Sequence, residues 1–116
     1  MADEVIQEFL VESYESLEEV ERDLVELEEQ SSAELISRIF RNIHTIKGTC
    51  GFLGYGRLEG VAHAGENLLS KLREGELVPT EPITSALLAT VDAIRTMLEL
   101  IEQTAAAGAA PYEGLR

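Results

Sequence analysis

The stretch SAELISRIFRNIHTIKGTCGFLGYG, residues 32–56, decides the fold that we predict for this chain. Its apolar side chains recur at steps of three and four residues, which is the spacing of one face of an α-helix. These side chains are Ile36, Ile39, Ile43, Ile46, Cys50 and Leu53. Ser32 is placed to cap the start of this helix, and Gly54 and Gly56 supply its end and a turn. The stretch is therefore predicted to be an amphipathic helix with a defined beginning and end.

Helical spacing also dominates on both sides of this stretch. An amphipathic helix is predicted before it, over about residues 3–29. Two more are predicted after it: one ends at Gly75, and the other starts at residues 79–82. No strand pattern appears in the sequence. Because helices joined by short connections pack as antiparallel neighbours, the predicted fold class is all-α, an antiparallel up-down-up-down four-helix bundle.

The composition changes near the end of the chain, where alanine, glycine and proline replace the helical pattern. We predict that residues 1–104 form the bundle and that residues 105–116 form a tail or linker. The single cysteine excludes an internal disulfide and fits a reducing cytosol. No apolar run approaches the roughly 20 residues of a membrane span, and the first residues lack the pattern of a signal peptide. These features predict a cytoplasmic location without membrane insertion.

The charge of the chain is strongly negative and unevenly distributed. The 116 residues carry a net charge of −13, and twelve acids but only one base lie in residues 1–30. This acidic run is interpreted as a solvated helix face, and the overall balance excludes a nucleic-acid surface, which needs clustered cations. Cations exceed acids over residues 38–73, where Arg38 and Arg41 are candidates for contact with an acidic partner.

One flank of the second helix breaks the apolar pattern with His44, Lys47, Gly48 and Gly51. On a helical wheel, His44 falls about 130° from the centre of the apolar face, so its imidazole is expected in solvent. A neutral imidazole nitrogen is a nucleophile near physiological pH, and an ammonium one turn away is placed to stabilise an arriving phosphoryl group. Because each glycine costs about 1 kcal/mol in a helix relative to alanine, we interpret the two glycines as bare backbone for the close approach of a partner.

The third helix supplies a carboxylate for this imidazole. Glu66 falls on a flank comparable to that of His44, where it is expected to be solvated. There it would accept a hydrogen bond from Nδ1–H of His44 and so leave the lone pair on Nε2. His63 lies one turn before Glu66 and almost opposite the core, either at the edge of the same site or as an ordinary surface residue. The sequence thus predicts a reactive site between two neighbouring helices.

These residues resemble a known family. The run HTIKGTCGFLG, residues 44–54, resembles the HxxKGxxGxxG signature of histidine-containing phosphotransfer (HPt) domains. Residues 58–73 are similar to the helix that follows in the N-terminal phosphotransfer (P1) domain of chemotaxis histidine kinases, the CheA class. The resemblance covers about residues 3–103 and implies a four-helix phosphorelay carrier in two-component, chemotaxis-type signalling.

The resemblance also implies roles and partners. His44 would be phosphorylated on Nε2 by a separate kinase ATP-binding domain, often of the other subunit of a dimer, and would pass the phosphoryl group to an aspartate of a response-regulator receiver domain. Glu66 would orient the imidazole, Lys47 would assist, and His63 matches a histidine near the family's site. The domain itself would be the phospho-accepting substrate of a histidine protein kinase, without an ATP site or cofactor of its own. ATP and Mg²⁺ would be held by the partner domains.

Several alternatives stay open from the sequence. The chain could be a stand-alone HPt protein of a multistep phosphorelay, or a helical interaction module without chemistry. A metal-binding bundle is disfavoured because di-iron bundles need two Glu-x-x-His pairs, whereas this chain has one reversed pair, His63 and Glu66, and we predict no metal site. A fifth helix, frequent in chemotaxis members, the cognate receiver, the pathway and the oligomeric state are not determined by the sequence, nor is whether the chain is an excised domain.

Overall fold

The computed structural model describes residues 2–106, which form four helices and contain no strand. The helices are α1 (Ala2–Glu29), α2 (Ala33–Leu53), α3 (Gly56–Arg73) and α4 (Glu81–Ala106). Each helix packs against the next one in the chain, and α4 returns to pack against α1, so the helices form a closed ring of antiparallel neighbours. The predicted all-α, up-down-up-down four-helix bundle is confirmed. The predicted tail over 105–116 lies outside the described residues, except for its first two, which belong to α4.

The ends of α2 and α3 are set by local chemistry. The Oγ atom of Ser32 accepts a hydrogen bond from the backbone N–H of Leu35 at 3.0 Å, as the predicted helix cap requires. Gly54 ends α2 with φ +86°, a left-handed conformation that glycine adopts without steric cost. Gly75 has φ +82° just after α3. The turn at Gly54 reverses the chain within two residues and brings α3 back along the flank of α2.

The interior of the bundle consists of aliphatic side chains from all four helices. Those that are at most 2% exposed include Leu17, Val20, Leu24, Ile39, Ile43, Leu69, Val91, Ile94 and Leu98. Burial of such side chains provides the main stabilising free energy of a bundle. At Gly65 of α3, an added Cβ would lie 3.0 Å from Cγ2 of Thr90 in α4, which is tighter than ordinary packing. The missing side chain therefore lets α4 support α3 closely, one residue before Glu66.

Polar bridges connect α1 to both of its neighbours. Along the bridges to α4, residue numbers rise in α1 while they fall in α4, as antiparallel packing requires. The bridges join Tyr14 to Glu102 at 3.2 Å, Glu21 to Arg95 at 2.7 Å and Glu28 to Thr84 at 3.0 Å. Towards α2, Arg38 donates two hydrogen bonds to the carboxylate of Asp23, at 2.9 and 3.0 Å. These bridges set the register of α1 against α2 and α4.

Candidate functional site

His44 stands on the side of α2 that faces away from the buried aliphatic row. Its neighbours Ile43 and Ile46 are 2% exposed, whereas the imidazole side chain is 59% exposed. Within residues 2–106, Nε2 of His44 has no hydrogen-bond partner, while Nδ1 has one. A nitrogen that is accessible and unbonded within the fold is available to a second macromolecule. This placement agrees with the solvent exposure that the helical wheel predicts.

The partner of Nδ1 is Oε2 of Glu66, which reaches across from α3. An ionised carboxylate only accepts hydrogen bonds, so Nδ1 carries a proton, and in the neutral imidazole Nε2 therefore carries the lone pair. The other carboxylate oxygen, Oε1, accepts a hydrogen bond from Nζ of Lys47 at 2.7 Å. One acid therefore binds two side chains of α2 that lie one turn apart, and it selects the tautomer of the imidazole.

Glu66 is buried, and the expectation that it is solvated is wrong. Only 7% of the residue is exposed, because α2 packs over the flank of α3 that a wheel drawn for α3 alone assigns to solvent. Burial by itself would raise the pKa of Glu66, but hydrogen bonds from Lys47 and His44 outweigh it and hold the pKa of this carboxyl below its ordinary value of 4.5. The acid thus stays ionised in a largely dry position, where its field on the imidazole is weakly screened.

The imidazole also has an aromatic neighbour that was not predicted from the sequence. The ring of Phe40 stacks on that of His44, with centroids 5.9 Å apart and planes inclined by only 8°. The guanidinium carbon of Arg73, in the last turn of α3, lies 4.1 Å from the centroid of the same phenyl ring. The i, i+4 spacing of Phe40 and His44 on one helix was the available signal, since residues four apart lie side by side. The contact between Arg73 and Phe40 joins two helices, so no spacing in the sequence indicated it.

The two glycines of the motif differ in their surroundings. A Cβ added at Gly48 would meet no atom within 4 Å, so the backbone there is bare and open. A Cβ added at Gly51 would lie 2.8 Å from Oε2 of Glu59 in α3, so the missing side chain at this position also leaves room for that carboxylate. His63 is exposed, and its side chain forms no hydrogen bond within the described part of the chain. It is therefore not joined to the network of Glu66.

An exposed aromatic side chain and an exposed cation lie on the same helix as His44. Phe52, two turns beyond His44 on α2, is 86% exposed. Arg41 is exposed. Arg38 is the other cation predicted to contact an acidic partner, and it donates two hydrogen bonds to Asp23. Among residues 2–106, no three histidine, cysteine or acidic side chains lie close enough together to hold a metal ion. Nor does any helix in this range have the length and apolar character to cross a bilayer.

Comparisons with known proteins identify a family and several similar structures. The family model of the Hpt domain matches residues 4–104. The sensor histidine kinase CheAY of Helicobacter pylori is 38% identical over 102 residues, which cover 87% of this chain but only 13% of that protein. The CheA phosphotransferase domain from Thermotoga maritima has a similar structure, with a TM-score of 0.83 and 33% identity over 87% of this chain and 97% of that domain. The phosphorylated P1 domain of CheA3 from R. sphaeroides, in complex with CheY6, gives a TM-score of 0.80 and 30% identity over 93% of this chain and 83% of that one.

Proposed function

Since this chain belongs to the Hpt domain family, we propose that it carries a phosphoryl group between two partner proteins in chemotaxis-type two-component signalling. His44 is the phosphorylated residue in this proposal, and Nε2 is the reacting atom. The observation that carries the proposal is the difference between the two ring nitrogens of His44. Nδ1 is hydrogen-bonded to the buried Glu66, whereas Nε2 is unbonded on a side chain that is 59% exposed.

The loading step follows from the tautomer. The Nε2 lone pair of His44 forms a bond to the γ-phosphorus of ATP while the bond from that phosphorus to the β,γ-bridging oxygen breaks, and ADP leaves with the electron pair. No proton has to leave Nε2, because the proton of this tautomer is on Nδ1. The ring gains positive character as the N–P bond forms, and the carboxylate of Glu66 lies against Nδ1–H, where it stabilises that charge. Glu66 thus orients the ring and favours phosphorylation electrostatically.

The unloading step reverses this chemistry. A carboxylate oxygen of an aspartate on the receiver attacks the phosphorus, the N–P bond breaks, and the electron pair returns to Nε2. Lys47 supports both steps, because its ammonium uses one of three donors on Glu66 and keeps two for phosphoryl oxygens near His44. Gly48 offers no side chain that would obstruct a partner one turn from the reacting nitrogen.

Two partner domains are proposed, one to hold ATP and one to accept the phosphoryl group. A kinase ATP-binding domain, acting in trans within a dimer of the full-length protein, would hold ATP and Mg²⁺, and the receiver would bring its aspartate and its own Mg²⁺. The chain spans 13% of the length of the CheAY relative. We propose that the kinase activity resides in a separate ATP-binding domain. The P1 domain of CheA3 was solved phosphorylated and in complex with CheY6, which supports a protein partner for this chain. We also propose that the domain acts in the cytoplasm.

The proposal is tested by phosphorylation with a CheA-type kinase core and radiolabelled ATP. One acid-labile phosphoryl group per chain is expected on the wild-type domain and none on His44→Gln. The chain has only two histidines, and His63→Gln is the matched control, because it removes the other imidazole without touching the Glu66 network. Label that persists in His44→Gln and disappears in His63→Gln would reject the assignment. Equal and unlabelled results for all three proteins with an active core would support the interaction module without chemistry.

A further inference from the structure

We propose that Phe40 is a positioning residue that holds the plane of the reactive imidazole, and that Arg73 holds Phe40 in place. This inference rests on the proposed function, because it concerns how the ring of His44 is presented for phosphorylation. Glu66 of α3 restrains the edge of the imidazole, and Phe40 of α2, itself held by Arg73 of α3, restrains its face. Neither Phe40 nor Arg73 is required to touch the phosphoryl group.

The hydrogen bond to Glu66 restrains the imidazole of His44 incompletely. A hydrogen bond tolerates angular deviations of about 30° before it weakens, and the terminal torsion of a histidine side chain has broad minima. The side chain is 59% exposed, so packing from the core does not remove this freedom. A single edge contact therefore leaves the ring free to rock about its mean orientation.

The phenyl ring of Phe40 supplies the missing restraint. Its plane lies within 8° of the plane of the His44 imidazole, and the centroid separation of 5.9 Å is inside the range of offset-stacked aromatic pairs. Rocking of the imidazole would break this parallel contact, so the stack favours one ring plane. Phe40 is itself half-buried, which makes it a firmer support than a solvated side chain.

Arg73 completes the brace from the neighbouring helix. Its guanidinium lies over the face of Phe40, at a distance typical of a cation–π contact. Among the side chains described, those of residues 4–104, no acid forms an ion pair with Arg73, and its one polar or ring contact is with the phenyl ring of Phe40. Glu66 and Arg73 lie two turns apart on α3, and α3 thus restrains the α2 site at two levels.

The ring plane matters for the reaction because the Nε2 lone pair of His44 lies in it. Phosphoryl transfer proceeds with the attacking and leaving atoms roughly in line, so a tilt of the imidazole moves the lone pair off the line to phosphorus. Positioning of this kind acts on the rate in the bound complex and leaves the affinity for the kinase largely unchanged. The brace therefore predicts a fall in kcat without a matching rise in KM.

The test uses four variants of the whole domain with a CheA-type kinase core. Phe40→Leu removes the aromatic face and keeps an apolar side chain, while Phe40→Tyr keeps the face and serves as the rescue. Arg73→Gln removes the cation–π contact. Lys71→Gln is its matched control, because it changes the charge equally in the same turn of α3 at an exposed side chain without a hydrogen bond within the described residues.

We expect kcat for phosphorylation to fall about 3-fold to 30-fold in Phe40→Leu, less than the roughly 100-fold that a 1 Å misplacement can cost. A smaller fall is expected in Arg73→Gln, and wild-type values in Phe40→Tyr and Lys71→Gln. The NMR signals of the carbon-bound protons of His44 should lose their ring-current shift in Phe40→Leu and lose part of it in Arg73→Gln. This spectroscopic readout needs no kinase.

Two results would overturn the inference: unchanged kcat in a folded Phe40→Leu domain, or unchanged His44 ring signals in that variant. If Phe40→Leu does not fold, as circular dichroism would show, Arg73→Gln decides, and ring signals and kcat equal to those of Lys71→Gln would overturn it. Failure of the proposed function looks different, because the wild-type domain would then take no label on His44 while the ring signals still responded to Phe40→Leu.

Discussion

Two buried acids lie on opposite sides of α2, and they are used in different ways. Asp23 of α1 is 4% exposed, and both of its oxygens accept hydrogen bonds from the guanidinium of Arg38. Glu66 of α3 is 7% exposed, and its two oxygens are divided between the ammonium of Lys47 and the imidazole of His44. Both acids join a neighbouring helix to α2, so both contribute to the packing of the bundle.

The two acids differ in whether a side chain that they bind keeps an unused lone pair. The pair of Asp23 with Arg38 is closed, because a permanent cation matches both oxygens of the carboxylate in a fixed fork geometry. The Glu66 cluster is open, because one of its partners is a ring whose second nitrogen carries an unused lone pair. A closed pair gives register and stability, whereas an open one adds a nucleophile of defined tautomer. The contrast suggests four experiments.

The largest effect is expected when each acid is replaced by its amide. Glu66→Gln removes the negative charge that stabilises the ring during N–P bond formation, so phosphorylation of His44 should slow by roughly 10-fold to 100-fold, at or below the lower end of what a positioned acid–base group contributes. Asp23→Asn makes the same chemical change on the other side of α2 and should leave the rate unaltered. Initial rates with labelled ATP measure both. Equal rates for wild type and Glu66→Gln would break the distinction between the two acids.

The second effect concerns stability. Asp23→Asn turns one acceptor oxygen towards Arg38 into an amide N–H₂, which cannot accept the second hydrogen bond. The loss leaves an N–H group of Arg38 without its acceptor in the protein, so urea denaturation should show a lower free energy of unfolding. If Asp23→Asn unfolds at the same urea concentration as wild type, the closed pair does not have the structural role assigned to it.

A third effect depends on pH. The pKa of Glu66 is lower in the folded chain than its ordinary value of 4.5, so between the two values the unfolded chain binds more protons than the folded one. The stability that this acid contributes is present above pH 4.5 and is lost as the pH falls through the lowered pKa. The difference in unfolding free energy between wild type and Glu66→Gln should therefore shrink as the pH falls below 4.5. A difference that stays constant down to pH 3 would contradict the lowered pKa.

The smallest effect is expected from alanine substitution of the two motif glycines, Gly48 and Gly51. Gly48→Ala places a methyl group in open space and should raise the stability by about 0.5–1 kcal/mol, the usual gain for alanine over glycine in a helix. Gly51→Ala should gain less, because the new Cβ meets the Glu59 carboxylate. Thermal unfolding measures both. Slower transfer to the partners in Gly48→Ala than in Gly51→Ala would support close approach at Gly48.

The helices and their ends were predictable because they depend on neighbours along the chain. The cap at Ser32 and the left-handed end at Gly54 involve residues within four positions of each other, and the buried row of α2 follows from its period. The exposure of His44 follows from the same period. The commitment of Arg38 and the brace of Phe40 by Arg73 were not predictable, because each needs the rotation and register of two separate helices.

The sequence by itself therefore determined that the chain is a bundle of four helices and that one imidazole stands in solvent beside a lysine and bare backbone. The tertiary structure alone decided that Glu66 is buried and that it binds Lys47 in addition to His44. It also decided that Asp23 of α1 pairs with Arg38. The reason is physical: periodicity gives the direction of a side chain relative to its own helix axis. Burial and pairing depend on which surface of another helix lies opposite, and no local pattern contains that information.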